Sequence, residues 1–514
     1  MTAPRWQRLL GTSVAGLAAA AVVVGLGAGL GAVVFRELVF GVTRLVTGTT
    51  DYAATPGAPL PWWPELGRWF LLAAPVLGGL LYGPLVYRYA REARGHGVPE
   101  VMLAVAENEG RIRPRVAVVK SLASALTIGT GGSVGREGPI VQIGSAIGSS
   151  LGQWMRMPAS RLRLLVACGA GGGIAATFNA PLSGVLFALE IILLDFTVLS
   201  VVVVGTSSVV ANLVARVLET PGTFLELPTF RVESFAQFGL FALVGLVGAL
   251  VGVTFTRVLY GMEDLADSLW RGPEWLRPAV GGLLVGLLLV ALPEMYGVGY
   301  PVLQAGVAGQ YAVGFLLLLL VGKMLATSLT LAVGGSGGIF APSLFLGAMT
   351  GTALGVAADA LAPGVAGPAG AYGLIGMAAV LAGATRAPIT AVVIVAEITA
   401  EWSLVLPLLL AVALATALSR LLSGETVYTL KLARRGIHLT PPGARGWQPF
   451  GPAEVLHLPE ERVLVRLVVP DDGWEPPPAF ARLDGGAHDA RMLLTGPADG
   501  LDALAASLPA DTGR

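Results

Sequence analysis

Apolar segments run near residues 9–35, 69–87, 116–131, 139–155, 164–194 and 198–218. A second set follows near 236–260, 279–293, 312–333, 339–360, 370–398 and 402–422. Runs of this length predict helices. In hydrocarbon only helices or closed barrels keep every backbone amide paired. Several fall short of the roughly 20 residues that cross a hydrocarbon core of about 30 Å. These are expected to run part-way, to tilt, or to pair as re-entrant hairpins. The first segment is too long for the apolar region of a signal peptide and shows no cleavage site, so it is read as a helix. Near residue 436 the pattern changes. PPGARGWQPFGP marks a linker, RVLVRLVV (462–469) and RMLLTG (491–496) predict short strands, and LDALAASL (501–508) predicts a helix. The expected division is a membrane domain over 1–435, with halves near 10–218 and 232–422, and a small α/β accessory tail over 436–514.

The two halves are related. GSVGREGPIVQIGSAIGSSLG (132–152) recurs as GSGGIFAPSLFLGAMTGTALG (335–355), with eight of 21 positions identical at an offset of 203. Downstream, NAPLSGVLFALE (179–190) answers RAPITAVVIVAE (386–397) at an offset of 207. Duplicated Gly/Pro-broken segments place half-helix ends near the bilayer midplane, the strongest sequence pointer to a transporter's ion site. One break carries Glu137 and the other Phe340, an asymmetry that separates gating from selectivity.

Composition fits a membrane protein. Charged residues are 13% of the chain, about half of the roughly 25% usual in soluble domains. Mean hydropathy is +0.74, and the 70 glycines suit close helix packing in lipid. The single cysteine, Cys168, excludes an intrachain disulfide and is expected to be a buried, inert thiol. Four histidines and no cysteine cluster offer no metal site, and nothing calls for a cofactor or a nucleic acid.

Zero net charge conceals a split. Residues 1–450 carry 28 Lys+Arg against 22 Asp+Glu, while 451–514 carry 5 against 11. Basic groups gather at Arg5 and Arg8, at Arg88, Arg91 and Arg94, at Arg111, Arg113, Arg115 and Lys120, at Arg156, Arg161 and Arg163, and at Lys431, Arg434 and Arg435. The positive-inside rule makes these loops and both termini cytoplasmic, with the loops at 51–66 and 219–235 outside.

An anion crossing lipid must be compensated for lost hydration, yet a fixed buried cation would trap it, because conduction needs reversible binding. Backbone N–H groups at helix N-termini supply partial positive charge without a full counter-ion. GREGP and GIFAP each place glycine before, and proline at, the first turn of a helix. Neither break holds an acidic ring or a carbonyl-rich loop of the kind a cation filter uses. The chemistry points to anions.

GHGVPE (95–100), GREGP (135–139), GGIFAP (337–342) and the tyrosine of VYTLKLARRG (427–436) occur in the order of the CLC chloride channel and transporter family. FNAPLSGVLFALE between them also resembles that family, and the likeness spans roughly residues 10–435. It implies an all-α polytopic membrane fold of tilted and re-entrant helices in inverted repeat. It also implies a homodimer in the cell membrane with one pathway per subunit, and movement of chloride, with protons where exchange occurs. Glu137 matches the gating glutamate, which mimics chloride when ionised and swings away when protonated. Gly135, Arg136, Gly138, Gly338, Ile339 and Phe340 match the amide-donating anion sites, and Tyr428 matches the central tyrosine. The resemblance implies a transporter, not an enzyme. A tyrosine of the interfacial belt is the alternative for Tyr428.

Two positions depart from the family pattern. His96 stands where serine is usual. An imidazole there is expected either to close the inner end of the pathway and make anion affinity pH-dependent, or to sit in a wet vestibule. After FALE, Glu190 matches the first of two usual acids, but Ile191 replaces the second, the internal proton glutamate. Ile191 speaks for passive conduction, whereas retained Glu137 speaks for exchange. Glu190 is expected to be structural, since Glu397 repeats it. GGSG (334–337) also fits the G-x-S-G of intramembrane serine proteases. That reading is disfavoured because Ser133 mirrors Ser336 in the repeat and only His96 lies in the membrane part.

Overall fold

The computed structural model describes residues 14–218, 225, 230, 234–361, 363, 366–437, 448–450, 453–458, 462–468, 478–482, 491–501 and 504. Two compact units divide between Ile437 and His438. The first half of the helical unit contains α1 (Val14–Thr47), α2 (Phe70–Tyr89), α3 (Val98–Ala106), α4 (Arg115–Gly129), α5 (Glu137–Trp154), α6 (Ala159–Phe178), α7 (Pro181–Phe187) and α8 (Val198–Leu218). A counterpart to each follows in the same order: α9 (Ala236–Leu269), α10 (Arg277–Ala291), α11 (Tyr300–Val307), α12 (Val313–Ala332), α13 (Phe340–Leu361), α14 (Ala369–Thr385), α15 (Pro388–Thr399) and α16 (Val405–Leu422). A short α17 (Thr429–Ala433) closes the unit.

Among the described residues, seven helices are long and apolar enough to cross a membrane. Others are too short, as expected: α3, with nine residues, spans only about 14 Å. Leu26, Leu30 and Val34 on α1 and Leu243, Leu246 and Leu250 on α9 are exposed, a pattern that suits lipid contact and would be costly in water.

Several sequence expectations need correction. The segments 164–194 and 370–398 are each two helices, not one. Asn179 (φ 54°) and Arg386 (φ 55°) turn left-handed, and Pro181 and Pro388 then start new helices at the position where a missing N–H costs nothing. Past Phe187, α7 widens into a π-helical turn over Ala188–Leu193. The first helix extends to Thr47 and α9 to Leu269, beyond the apolar runs that predicted them. Lys120 is no loop cation: it lies within α4 and is fully buried. Arg5, Arg8, the start of the first segment and nearly all of the 219–235 loop lie outside the described residues.

Small residues set the packing. A Cβ on Gly144 of α5 would strike the Gly169 carbonyl of α6, and one on Gly169 would strike that of Gly144. The same reciprocal contact recurs between Gly347 of α13 and Gly376 of α14. Backbones meet here without intervening side chains, so each re-entrant helix is pressed against its partner by dispersion contacts. Cys168 is buried on α6 beside this contact.

The second unit holds an antiparallel sheet in the order β1-β2-β3-β5-β4. Its strands are β1 (Gln448–Phe450), β2 (Ala453–His457), β3 (Arg462–Val468), β4 (Ala481–Arg482) and β5 (Arg491–Pro497). Val463 and Val465, one face of β3, are buried, as are Leu494 and Phe480. Both predicted strands are present, and β1, β2 and β4 were not foreseen. β1 falls inside the stretch read as linker. Of the helix predicted over 501–508, only residues 501 and 504 are described, both helical.

Gly144→Val and Gly347→Val are each expected to abolish monodisperse elution in detergent. Gly41→Val, at a glycine with nothing within 4 Å of the new Cβ, should elute like the parent.

Candidate anion pathway

Gly135 and Gly338, one from each break, face each other as an antiparallel backbone pair. The Gly135 amide donates to the Gly338 carbonyl at 2.7 Å, and the Gly338 amide returns the bond at 2.6 Å. Flanking bonds keep the same exchange. The Ser133 amide donates to Thr330 Oγ1 of the other half, and the Ser336 amide to Thr127 Oγ1, both at 3.2 Å. Two buried lysines complete the frame. Lys120 Nζ donates to the Gly95 carbonyl at 2.7 Å and Lys323 Nζ to the Gly297 carbonyl at 2.9 Å. An ammonium among carbonyls is satisfied without a carboxylate, which keeps its charge from acting as a bare trap for an anion.

Around this centre several helix starts converge. A Cβ on Gly138 would strike the His96 carbonyl, and one on Gly338 would strike the Gly138 amide. The 95–97 loop, the start of α5 and the approach to α13 are therefore in backbone contact, and no larger residue fits at these glycines. Glu137 is 1% exposed. Its carboxylate folds over Gly135, accepts from the Tyr300 hydroxyl at 2.6 Å through Oε1, and lies 3.4 Å from the Ala341 amide through Oε2. The carboxylate of the first break thus sits at the helix N-terminus of the second.

The Phe340 ring packs on Phe178 and Phe187, with centroids 5.8 and 6.3 Å away. Ile339 is buried beside it. Tyr428, at the N-cap of α17, is 2% exposed, which removes the interfacial-belt alternative. Its ring lies 6.1 Å from that of His96. His96 is 3% exposed, so it is not in a wet vestibule. Its Nε2 is 3.3 Å from the Tyr260 hydroxyl, which itself donates to the Val427 carbonyl, while Nδ1 has no partner among the described residues. Arg136 stands apart from the others. Its guanidinium lies over the Tyr300 ring and lines a cavity of about 190 Å³ with Asp51, Tyr52 and Tyr296.

Glu190 lies elsewhere, and its carboxylate is fully engaged. It accepts from the Ile389 and Thr390 amides (3.1 and 2.8 Å) and from the Thr390 hydroxyl (2.7 Å), capping α15 of the opposite half. Glu397 returns the cap to α7 through the Leu182 and Ser183 amides and the Ser183 hydroxyl. Ile191 is buried one residue further on. The protease geometry is not formed: Ser336 Oγ donates to the Ala93 carbonyl and lies 2.8 Å from Ser124 Oγ, while the His96 ring turns to Tyr260.

Tyr300 and the lysine pair were missed in the sequence. The signal was present, since GVGYP (297–301) repeats GHGVP (95–99) at an offset of 202 and Lys323 repeats Lys120 at 203.

The family described as voltage gated chloride channel matches residues 78–420. A putative chloride channel protein, ClcB-like, from Ralstonia nicotianae is 33% identical over 418 residues, covering 80% of this chain and 95% of that protein. The H(+)/Cl(-) exchange transporter ClcA of Citrobacter koseri is 35% identical over 429 residues, covering 80% and 87%. Among solved structures, a slow cyanobacterial Cl-/H+ antiporter superposes with a TM-score of 0.74 at 26% identity, over 82% of this chain and 97% of that one. A CLC-type fluoride/proton antiporter shares the fold, with a TM-score of 0.68 at 23% identity, over 81% and 97%. The chain belongs to the CLC family and is a multi-pass membrane protein.

Glu190→Ala and Glu397→Ala should each lower stability in detergent by about 1–2 kcal/mol, the cost of a lost N-cap. Thermal unfolding of both purified variants checks this. Similar losses are expected because the caps are symmetric.

Proposed function

We propose that this protein exchanges chloride for protons across the cell membrane, as a homodimer with a pathway in each subunit. The observation that carries the reading is the placement of Glu137. Its carboxylate lies at the start of α13, between the Tyr300 hydroxyl and the Ala341 amide, where a chloride ion would meet the same donors. Ionised, Glu137 competes with the anion. Protonated, it loses the charge that holds it there and can leave with its proton. Ile339 and Phe340 contribute amides to the neighbouring anion, Tyr428 contributes a phenol, and Gly135, Gly138 and Gly338 let the backbones approach closely enough to form the path.

His96 narrows the inner end. The cytoplasmic mouth is the cavity of about 330 Å³ lined by Arg91, Arg94, Lys431, Arg435, Glu100, Glu263, Asp267 and Glu274. Basic residues clustered around it support a cytoplasmic placement of both termini. The names of relatives, exchange transporters among them, support exchange over passive conduction, although Ile191 removes the usual inner proton acid.

Reconstituted protein should dissipate a chloride gradient once a potassium shunt is supplied, and its reversal potential should move with both chloride and proton gradients. Comparable sodium permeation, or a potential blind to protons, would count against exchange. Glu137→Gln keeps size and removes charge. Chloride flux should persist or rise, lose its dependence on external pH, and no longer move protons.

His96 is buried with the Lys431 and Lys120 ammoniums near it, a setting that disfavours the imidazolium. Apparent internal chloride affinity should therefore stay nearly constant as internal pH falls from about 7.5 to about 5.5, across the ordinary imidazole range near ~6.5. His96→Ser should change the affinity itself without adding pH dependence, as read in proteoliposome flux assays.

A further inference from the structure

The hydroxyl that reaches Glu137 belongs to the second half of the chain. Tyr300 opens α11, in the GVGYP loop that repeats GHGVP, at the position where the first half has Val98. The two bonds to the carboxylate are unequal. The Tyr300 hydroxyl donates at 2.6 Å, whereas the Ala341 amide stands at 3.4 Å, beyond the range of a good N–H···O bond. The phenol, more than the helix amide, therefore holds the carboxylate in place. Its ring is in turn overlaid by Arg136, 5.5 Å from the ring centroid. Both residues line the cavity of about 190 Å³ shared with Asp51 and Tyr296, so a proton arriving through that mouth meets the Tyr300–Glu137 pair.

We propose that Tyr300 is the latch of the gate, a positioning residue that donates to ionised Glu137, holds it across the path, and releases it on protonation. The inference rests on the reading of Glu137 as the gate. A phenol bond to a carboxylate is roughly twice as strong as one to a neutral acid, so protonation alone loosens the latch. The other charged or titratable groups facing Glu137 are Arg136 on its own element, Lys323 of α12 and Tyr428 before α17, with Asp51 across the mouth. Replacing Tyr300 with Phe leaves each of these groups present and also removes the bond between its hydroxyl and Arg136.

The test uses Tyr300→Phe, Glu137→Gln and the double variant in full-length protein reconstituted into proteoliposomes. Phenylalanine keeps the ring under Arg136 and removes only the hydroxyl. Tyr300→Phe should raise chloride turnover at neutral pH by roughly 10-fold or more, the size of one lost charge-assisted bond. It should also move the external-pH profile of flux toward alkaline by roughly one unit. In the Glu137→Gln background the same substitution should change turnover less than about twofold, because a latch with no charge to hold does nothing. Elution of the single and double variants in detergent reports on folding, so that a flux change is read only from protein that elutes like the parent. Unchanged turnover and pH profile in Tyr300→Phe, alongside an uncoupled Glu137→Gln, would overturn the latch and leave the gate standing. An equal effect of Tyr300→Phe in both backgrounds would also overturn it. A Glu137→Gln protein that still couples protons and keeps its pH profile would sink the gate reading itself.

Discussion

The hydrocarbon interior of a bilayer offers no water to an unpaired amide, so a helix interrupted within it must hand its free backbone groups to another part of the chain. Here the handover is mutual. Gly135 and Gly338 exchange amide bonds, Ser133 and Ser336 bond the threonines of the opposite half, and Glu190 and Glu397 cap each other's helices. Neither half satisfies its own breaks alone. Each break is therefore held by the other half, and the pathway between them exists only when both are folded.

A frame this symmetric makes its departures informative. Where the first half carries Glu137 the second carries Phe340, where the first carries His96 the second carries Val298, and where the second carries Tyr300 the first carries Val98. Lys120 and Lys323, by contrast, are retained and bond equivalent glycine carbonyls. The repeated residues satisfy backbone and charge. The unrepeated ones point a carboxylate, a phenol and an imidazole into the centre. A pathway with identical ends could not favour one direction of proton delivery, and these three side chains are where the ends differ.

The full engagement of Glu190 changes the weight of Ile191. The Glu190 carboxylate accepts three hydrogen bonds at the start of α15 and is occupied as a helix cap. The neighbouring position, where a second acid is usual in the family, is apolar and buried. On the proposed exchange, protons would reach Glu137 by groups nearer the pathway, and the cavity lined by Tyr300 and Arg136 is the opening the geometry provides.

Local chemistry in the sequence determined where the helices break, which motifs flank the breaks, and that the two halves repeat, because glycine and proline act on the backbone within a residue or two of themselves. It also determined the family resemblance, which rests on ordered short motifs, and two of the five strands of the tail. Tertiary structure decided the partners. Glu137 reads in sequence as a charge at the start of its own helix, yet its carboxylate lies at the Ala341 amide of the other half. Lys120 reads as one more loop cation, yet it is buried on carbonyls of the 93–95 loop. Glu190 reads as a candidate proton residue or a structural one, and only the tertiary structure brings it to the α15 amides that it caps. Tyr300 carried no signal until the loop that holds it was set against its repeat. Residues some 160 to 215 positions apart meet at this centre, and no local pattern encodes such pairings, since they arise from the packing of whole helices against each other.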